Sequence, residues 1–128
     1  MIGYATLGTN DIDRALTFYD GLFAAIGGKR LMQMPDERQL TFYGAGRGQP
    51  MLAIGRPYDG GAATVGNGVM ISLMMDGRDQ VDAVYAKVMA LGAADEGGPG
   101  TRGPEQMGFY GAYFRDPDGN KFCAYKMG

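Results

Sequence analysis

The side chains that usually carry catalysis are sparse in this chain. Histidine is absent and cysteine occurs once, as Cys123, among 128 residues. Without imidazole, no side chain ordinarily titrates near neutral pH, no nitrogen ligand of the usual kind is available to a metal ion, and no Ser-His or Cys-His pair can be assembled. Cys123 has neither a partner base nor an identifiable cation beside it, which reads as an unreactive buried thiol rather than a nucleophile. All 14 acidic residues fall in expected loops, turns or helices, so no strand-borne carboxylate is available as a general base. Rings and thioethers remain, from 8 tyrosines, 6 phenylalanines and 10 methionines, and these suit either an apolar ligand or a filled core. Arg47, Arg56 and Arg102 lie in expected loops where they could meet an anionic substituent, with ordinary solvated arginines as the default. The run Gly60–Gly68 lacks the Gly-Lys-Ser/Thr ending of a phosphate cradle and does not lead from a strand into a helix, so it reads as a linker.

The net charge of −2 and a pI near 4.9, with Lys and Arg scattered singly, leave no basic field for a phosphate backbone, and no nucleic-acid partner is expected. No apolar run approaches the roughly 20 residues that cross a bilayer. Met1-Ile2-Gly3-Tyr4 lacks the layout of a secretion signal, so a cytoplasmic protein with no membrane partner is expected. The lone cysteine cannot form an internal disulfide, in keeping with a reducing compartment. At 45% apolar and 20% charged residues, the chain has the balance of one folded domain.

The elements that must position these side chains repeat. Ile2–Thr9 reads as a strand, with Asn10 or Asp11 as the cap of a helix near Asp11–Ile26. Ala15, Tyr19, Leu22, Phe23 and Ile26 form its buried stripe, and Gly27-Gly28 stops it. Strands are expected at Arg30–Met34, Gln39–Tyr43 and Met51–Ile54. After the glycine-rich interruption, Val69–Met75 is a second opening strand. A helix near Asp79–Leu91 follows, striped by Val81, Val84, Tyr85, Val88 and Leu91 and stopped by Gly92. Gly97–Gly108 reads as a long loop. An apolar strand then ends at Arg115, and Asp116-Pro117-Asp118-Gly119-Asn120 turns the chain into a last strand, Lys121–Met127. This is a duplicated βα unit: module 1 at about 1–57, a linker at about 58–67 and module 2 at about 68–128, together forming one domain.

A strand-helix-strands unit used twice, with Leu7-Gly8-Thr9-Asn10-Asp11 at the front and Phe114-Arg115-Asp116-Pro117-Asp118-Gly119-Asn120 before the final strand, resembles the vicinal oxygen chelate superfamily. That superfamily holds the glyoxalases, bleomycin-resistance proteins and extradiol dioxygenases. The resemblance runs from Ile2 to Tyr125. It implies an α+β fold of two tandem βαβββ modules forming a half-barrel cleft, and a homodimer. The positions that carry metal ligands in such proteins fall here on Tyr4, on Met70 with Val69 as the one-residue alternative, on Cys123, and near Leu52. A phenol, a thioether, a thiol and an alkyl group are poor donors for a hard divalent ion, so neither a metal nor another cofactor is expected.

Strand alternation places Tyr4, Thr6 and Gly8 on one face and Met70, Ser72 and Met74 on its counterpart. If Phe114 pairs with Phe122, Tyr113 and Cys123 share a face with Gly111 and Tyr125. The expected ligand-binding residues are therefore Tyr4, Thr6, Met70, Ser72, Tyr113, Cys123 and Tyr125, around a small, flat, mostly apolar molecule. The resemblance leaves two alternatives beside binding: a lyase, isomerase or dioxygenase with diverged active-site residues, and a partner-binding domain whose cleft is filled by its own side chains.

Overall fold

The computed structural model describes residues 1–128. Its first half runs β1 (Tyr4–Gly8), α1 (Ile12–Ala25), β2 (Lys29–Gln33), β3 (Thr41–Gly44) and β4 (Met51–Gly55). The second half repeats the order with β5 (Ile71–Met74), α2 (Arg78–Ala90), β6 (Ala94–Thr101), β7 (Tyr110–Arg115) and β8 (Lys121–Lys126). Two four-stranded sheets result, ordered β1-β4-β3-β2 and β5-β8-β7-β6, with the first and last strand of each module parallel. This is the α+β arrangement of two tandem βαβββ modules.

Asp11 is the cap of α1, its carboxylate accepting from the Arg14 N–H at 3.1 Å, and Gly27 takes the left-handed backbone that closes the far end. The stripe of α1 is wider than a single heptad seam, with Ile12, Ala15, Leu16, Phe18, Tyr19, Leu22 and Phe23 all buried, because this helix meets both its own sheet and α2. Gly21 makes that approach possible: a Cβ there would stand 2.6 Å from the Leu91 Cδ1. Val81, Val84 and Val88 bury the opposing face of α2.

Both modules share one core of 20 buried residues, so neither half closes its apolar surface alone. Tyr19 of α1 packs against Phe122 of β8 with ring centroids 6.0 Å apart, and Phe114 stacks on Phe122 at 5.5 Å. The expected register, Phe114 opposite Phe122 and Tyr113 opposite Cys123, is present.

Two expectations are corrected. Residues 97–101, expected at the start of the Gly97–Gly108 loop, instead belong to β6 (Ala94–Thr101), paired with β7 through shifts at Asp95/Gly97 and Gly97/Gly100. Asp-Glu-Gly-Gly-Pro-Gly lacks the branched and aromatic residues that announce a strand. It is held as an edge strand by backbone pairing, with Pro99 at an irregularity where no ladder N–H is required. Asp95 and Glu96 are consequently carboxylates on a strand, although both are engaged: Asp95 accepts from the Tyr85 hydroxyl at 2.8 Å and Glu96 pairs with Arg115 at 2.5 Å. Val69 and Met70 precede β5 instead of belonging to it.

The Asp116–Asn120 turn does more than reverse the chain. Buried Asp116 accepts from the Tyr19 hydroxyl, the Asp118 and Asn120 N–H groups and the Asn120 side-chain amide. Asp118 accepts from the Thr9 hydroxyl at 2.5 Å, the Asn10 N–H at 3.0 Å and Arg14 at 3.0 Å, and Asn120 donates to the Gly8 carbonyl at 3.2 Å. The turn of module 2 thus clasps the end of β1 and the start of α1 in module 1.

Candidate functional site

Each sheet carries a helix on one face and no helix on the other. On β1, Leu7 joins the core while Tyr4 and Thr6 point away from it; on β5, Ile71 and Leu73 pack inward while Ser72 and Met74 face outward. Phe122 and Ala124 alternate likewise with Lys121, Cys123 and Tyr125, and Ala112 and Phe114 with Gly111, Tyr113 and Arg115. The period of two assigned these faces correctly.

Cross-strand register arranges the open face of the second sheet in two rows. Ser72, Cys123, Tyr113 and Gly97 form one, and Met74, Tyr125, Gly111 and Gly100 the next. Phe109 lies over Gly111, where a Cβ would meet its ring at 2.7 Å, and stacks on Tyr125 at 5.5 Å and 7° between planes. Four of the seven expected residues, Ser72, Tyr113, Cys123 and Tyr125, are therefore neighbours on one face. Tyr4 and Thr6 occupy the open face of the first sheet. There the Tyr4 ring meets Phe42 edge-on at 5.0 Å, and Leu40, Phe42 and Ala53 form a small cluster with Met51. Thr6 lines a cavity of about 320 Å³ with Arg38 and Arg56. Met70 lines a separate cavity of about 510 Å³ with the 65–69 segment, Arg115 and Lys121.

Cys123 is 1% exposed, so it is a floor beneath the face and not a contact surface. Cations do stand near it, contrary to the sequence reading. Arg102 and Lys121 lie 5.6 and 5.7 Å from the centre of the Tyr113 ring that borders the thiol, and Arg102 comes from 21 positions back along the chain (123 − 102), which chain proximity does not reveal. Burial nevertheless pushes the Cys123 thiol up, against the opposing pull of the Tyr113 hydroxyl and the two cations. Burial and then the neighbouring Cys123 raise Tyr113 in turn. At neutral pH the face presents a neutral phenol and thiol, not an anionic nucleophile.

The positions carried over for metal ligands do not fit a metal ion. Tyr4 and Cys123 lie on different sheets, Met70 lines another cavity, and the Leu52 side chain points into the core. No group of three His, Cys, Asp or Glu side chains capable of holding an ion comes together. No reaction step is therefore routed through a metal.

Two four-stranded sheets, each backed by one helix, define the paired βαβββ class of α+β folds. Residues 1–124 match the model of the Glyoxalase/Bleomycin resistance protein/Dioxygenase superfamily, and the chain belongs to that superfamily. A glyoxalase/bleomycin resistance protein from Albidiferax ferrireducens T118 is 32% identical, with a TM-score of 0.83 and 98% of each chain covered. A lactoylglutathione lyase from Agrobacterium tumefaciens is 26% identical, with a TM-score of 0.69 over 98% of this chain and 92% of that one. TnmS3, an antibiotic binding protein from Streptomyces sp. CB03234, shares the fold at 20% identity, with a TM-score of 0.70 over 100% and 96% of the two chains. No curated protein matches.

Proposed function

We propose that this protein binds a small, flat, largely apolar molecule reversibly and without a metal ion, on the open face of its second sheet. The observation that carries this reading is the parallel Phe109–Tyr125 stack beside Tyr113 on a sheet face that no helix covers. The half-buried Phe109, Tyr113 and Tyr125 rings and the 75% exposed Met74 offer apolar contact, while the Ser72 and Tyr113 hydroxyls orient a polar edge of the ligand. Tyr4 and Thr6, on the first sheet, and Met70, in a separate cavity, lie apart from this face. The fold shared with an antibiotic binding protein supports the class of ligand. A second copy of the chain closing the open faces, giving a homodimer in the cytoplasm, belongs to the same proposal.

The test is a calorimetric screen of planar aromatic compounds, repeated with Tyr113→Phe and Tyr113→Ala. A ring contact is worth about 0.5–1.5 kcal/mol beyond area burial, so Tyr113→Ala weakens binding several-fold and Tyr113→Phe much less. Turnover of a bound compound would instead establish a lyase, isomerase or dioxygenase. Failure of every compound to bind would leave the face without a ligand and the proposal without support.

A further inference from the structure

Arg102 has an unusual seat. Its guanidinium donates to the Gly98 carbonyl at 2.7 Å and to the Thr101 carbonyl at 3.3 Å, and packs over the Tyr113 ring. A Cβ at Gly97 would stand 3.2 Å from Nη2, and one at Gly100 would stand 2.9 Å from Nη1. The glycines of β6 therefore form a trough that admits the guanidinium onto the open face. The Arg102 main-chain N–H donates to the Phe109 carbonyl at 3.2 Å, which ties the Arg102 backbone to the residue that stacks on Tyr125.

This fixed charge is not neutralised. None of the chain's three ion pairs involves Arg102, and its two acceptors are neutral carbonyls, so most of its N–H donors remain unused. Lys121 lies over the same ring, its Nζ 5.7 Å from the ring centre. The cavity next to Arg102, about 410 Å³, adds Arg78 and is lined by Thr101, Phe109 and one acid, Glu105, which forms no ion pair. The other acid close to this face, Glu96, is engaged by Arg115. A guanidinium held flat by neutral partners, with free N–H groups and a neighbouring ring stack, matches the planar fork of a carboxylate attached to an aromatic ring.

We infer that Arg102 is a specificity-determining residue and that the ligand class is a planar aromatic carboxylate. The ring lies along Phe109, Tyr125 and Tyr113, and the carboxylate accepts from Arg102, with Lys121 adding charge. This inference rests on the proposed binding face, and the experiment separates the two. The full chain is titrated at pH 7.5 with 2-naphthoate and with its neutral isostere 2-naphthamide, for wild type, Arg102→Gln and Arg102→Lys. A charge-assisted fork favours the carboxylate by about tenfold or more in wild type. Arg102→Gln removes that preference, so that both probes bind it with similar affinity, while Arg102→Lys retains only part of it. Should Arg102→Gln prove unfolded by circular dichroism, the Arg102→Lys comparison decides. Equal affinity of both probes for wild type, or a preference that survives in Arg102→Gln or undiminished in Arg102→Lys, overturns the inference and leaves the binding face standing. Binding of neither probe overturns both.

Discussion

Asp118→Ala removes one of the acceptors through which the turn of module 2 holds module 1. The carboxylate, 4% exposed, receives the Thr9 hydroxyl, the Asn10 N–H and Arg14. These contributions are unequal. The Thr9 hydroxyl retains another acceptor in the Asp11 carbonyl at 3.1 Å, and the Asn10 contact lies at the surface, where water replaces it. Arg14 is 48% exposed, which discounts its ion pair to a fraction of a kcal/mol. The loss therefore stays below the sum of three charge-assisted bonds, at about 2–3 kcal/mol. For a domain of this size that lowers Tm by roughly 6–15 °C. Urea unfolding at pH 7 measures it, with Asp118→Asn in between because the amide oxygen still accepts. The shared core requires a single transition with an unchanged m-value. A loss under about 0.5 kcal/mol, or two separate transitions, would refute the reasoning that the turn and the core join the modules into one unit.

Gly21→Ala brings a Cβ to 2.6 Å from Leu91 Cδ1, the flexible tip of a half-buried side chain that swings aside, while the interior of α1 gains about 1 kcal/mol of helix propensity; urea unfolding is expected to show a net change within about 1 kcal/mol. Burial raises the Cys123 thiol above its ordinary 9.0 and Tyr113 above 10.0, so the folded chain keeps these protons longer than the unfolded one. That stability is complete below pH 9.0 and declines as pH rises through 10.0 and beyond. A urea midpoint that holds flat to higher pH in Cys123→Ala than in wild type is the expected sign. Light scattering at micromolar concentration is expected to give the mass of a dimer; a monomer removes the second copy as the cover of the open faces.

The repeat, the two helices and the hairpin register were legible because each is written in a local period: the stripe from Ala15 to Phe23, the valines of α2, and the alternation around Phe122. The strand β6 was not, because glycines and acids that pair only through backbone carry no apolar period. Of the binding face, Ser72, Tyr113, Cys123 and Tyr125 could be grouped from alternation and one assumed pairing. Phe109 and Arg102 could not, because they reach the face by folding back from a loop onto glycines at positions 111, 97 and 100. The only signal for Arg102 was its loop position, and the glycine spacing beside it gains meaning only once β6 is known to be a strand. The Asp-Pro-Asp-Gly-Asn run announced a turn but not the distant partners of its carboxylates.

Those partners impose an order of events during synthesis. The contacts from Tyr19, Arg14 and Thr9 to the turn span 97, 104 and 109 residues of chain, so they close some of the largest loops in the molecule. While a ribosome is still building the second module, the first holds Tyr19 without its acceptor and half a core without its counterpart. At roughly 5–20 residues per second, this interval lasts on the order of seconds, during which α1 is open to holdase chaperones and to other nascent chains. Emergence of residues 116–120 ends it. A ribosome paused just before Asp116 therefore displays a protease-sensitive first module, and one paused on a linker fused after residue 128, long enough to carry β8 (Lys121–Lys126) out of the tunnel, displays a protected one.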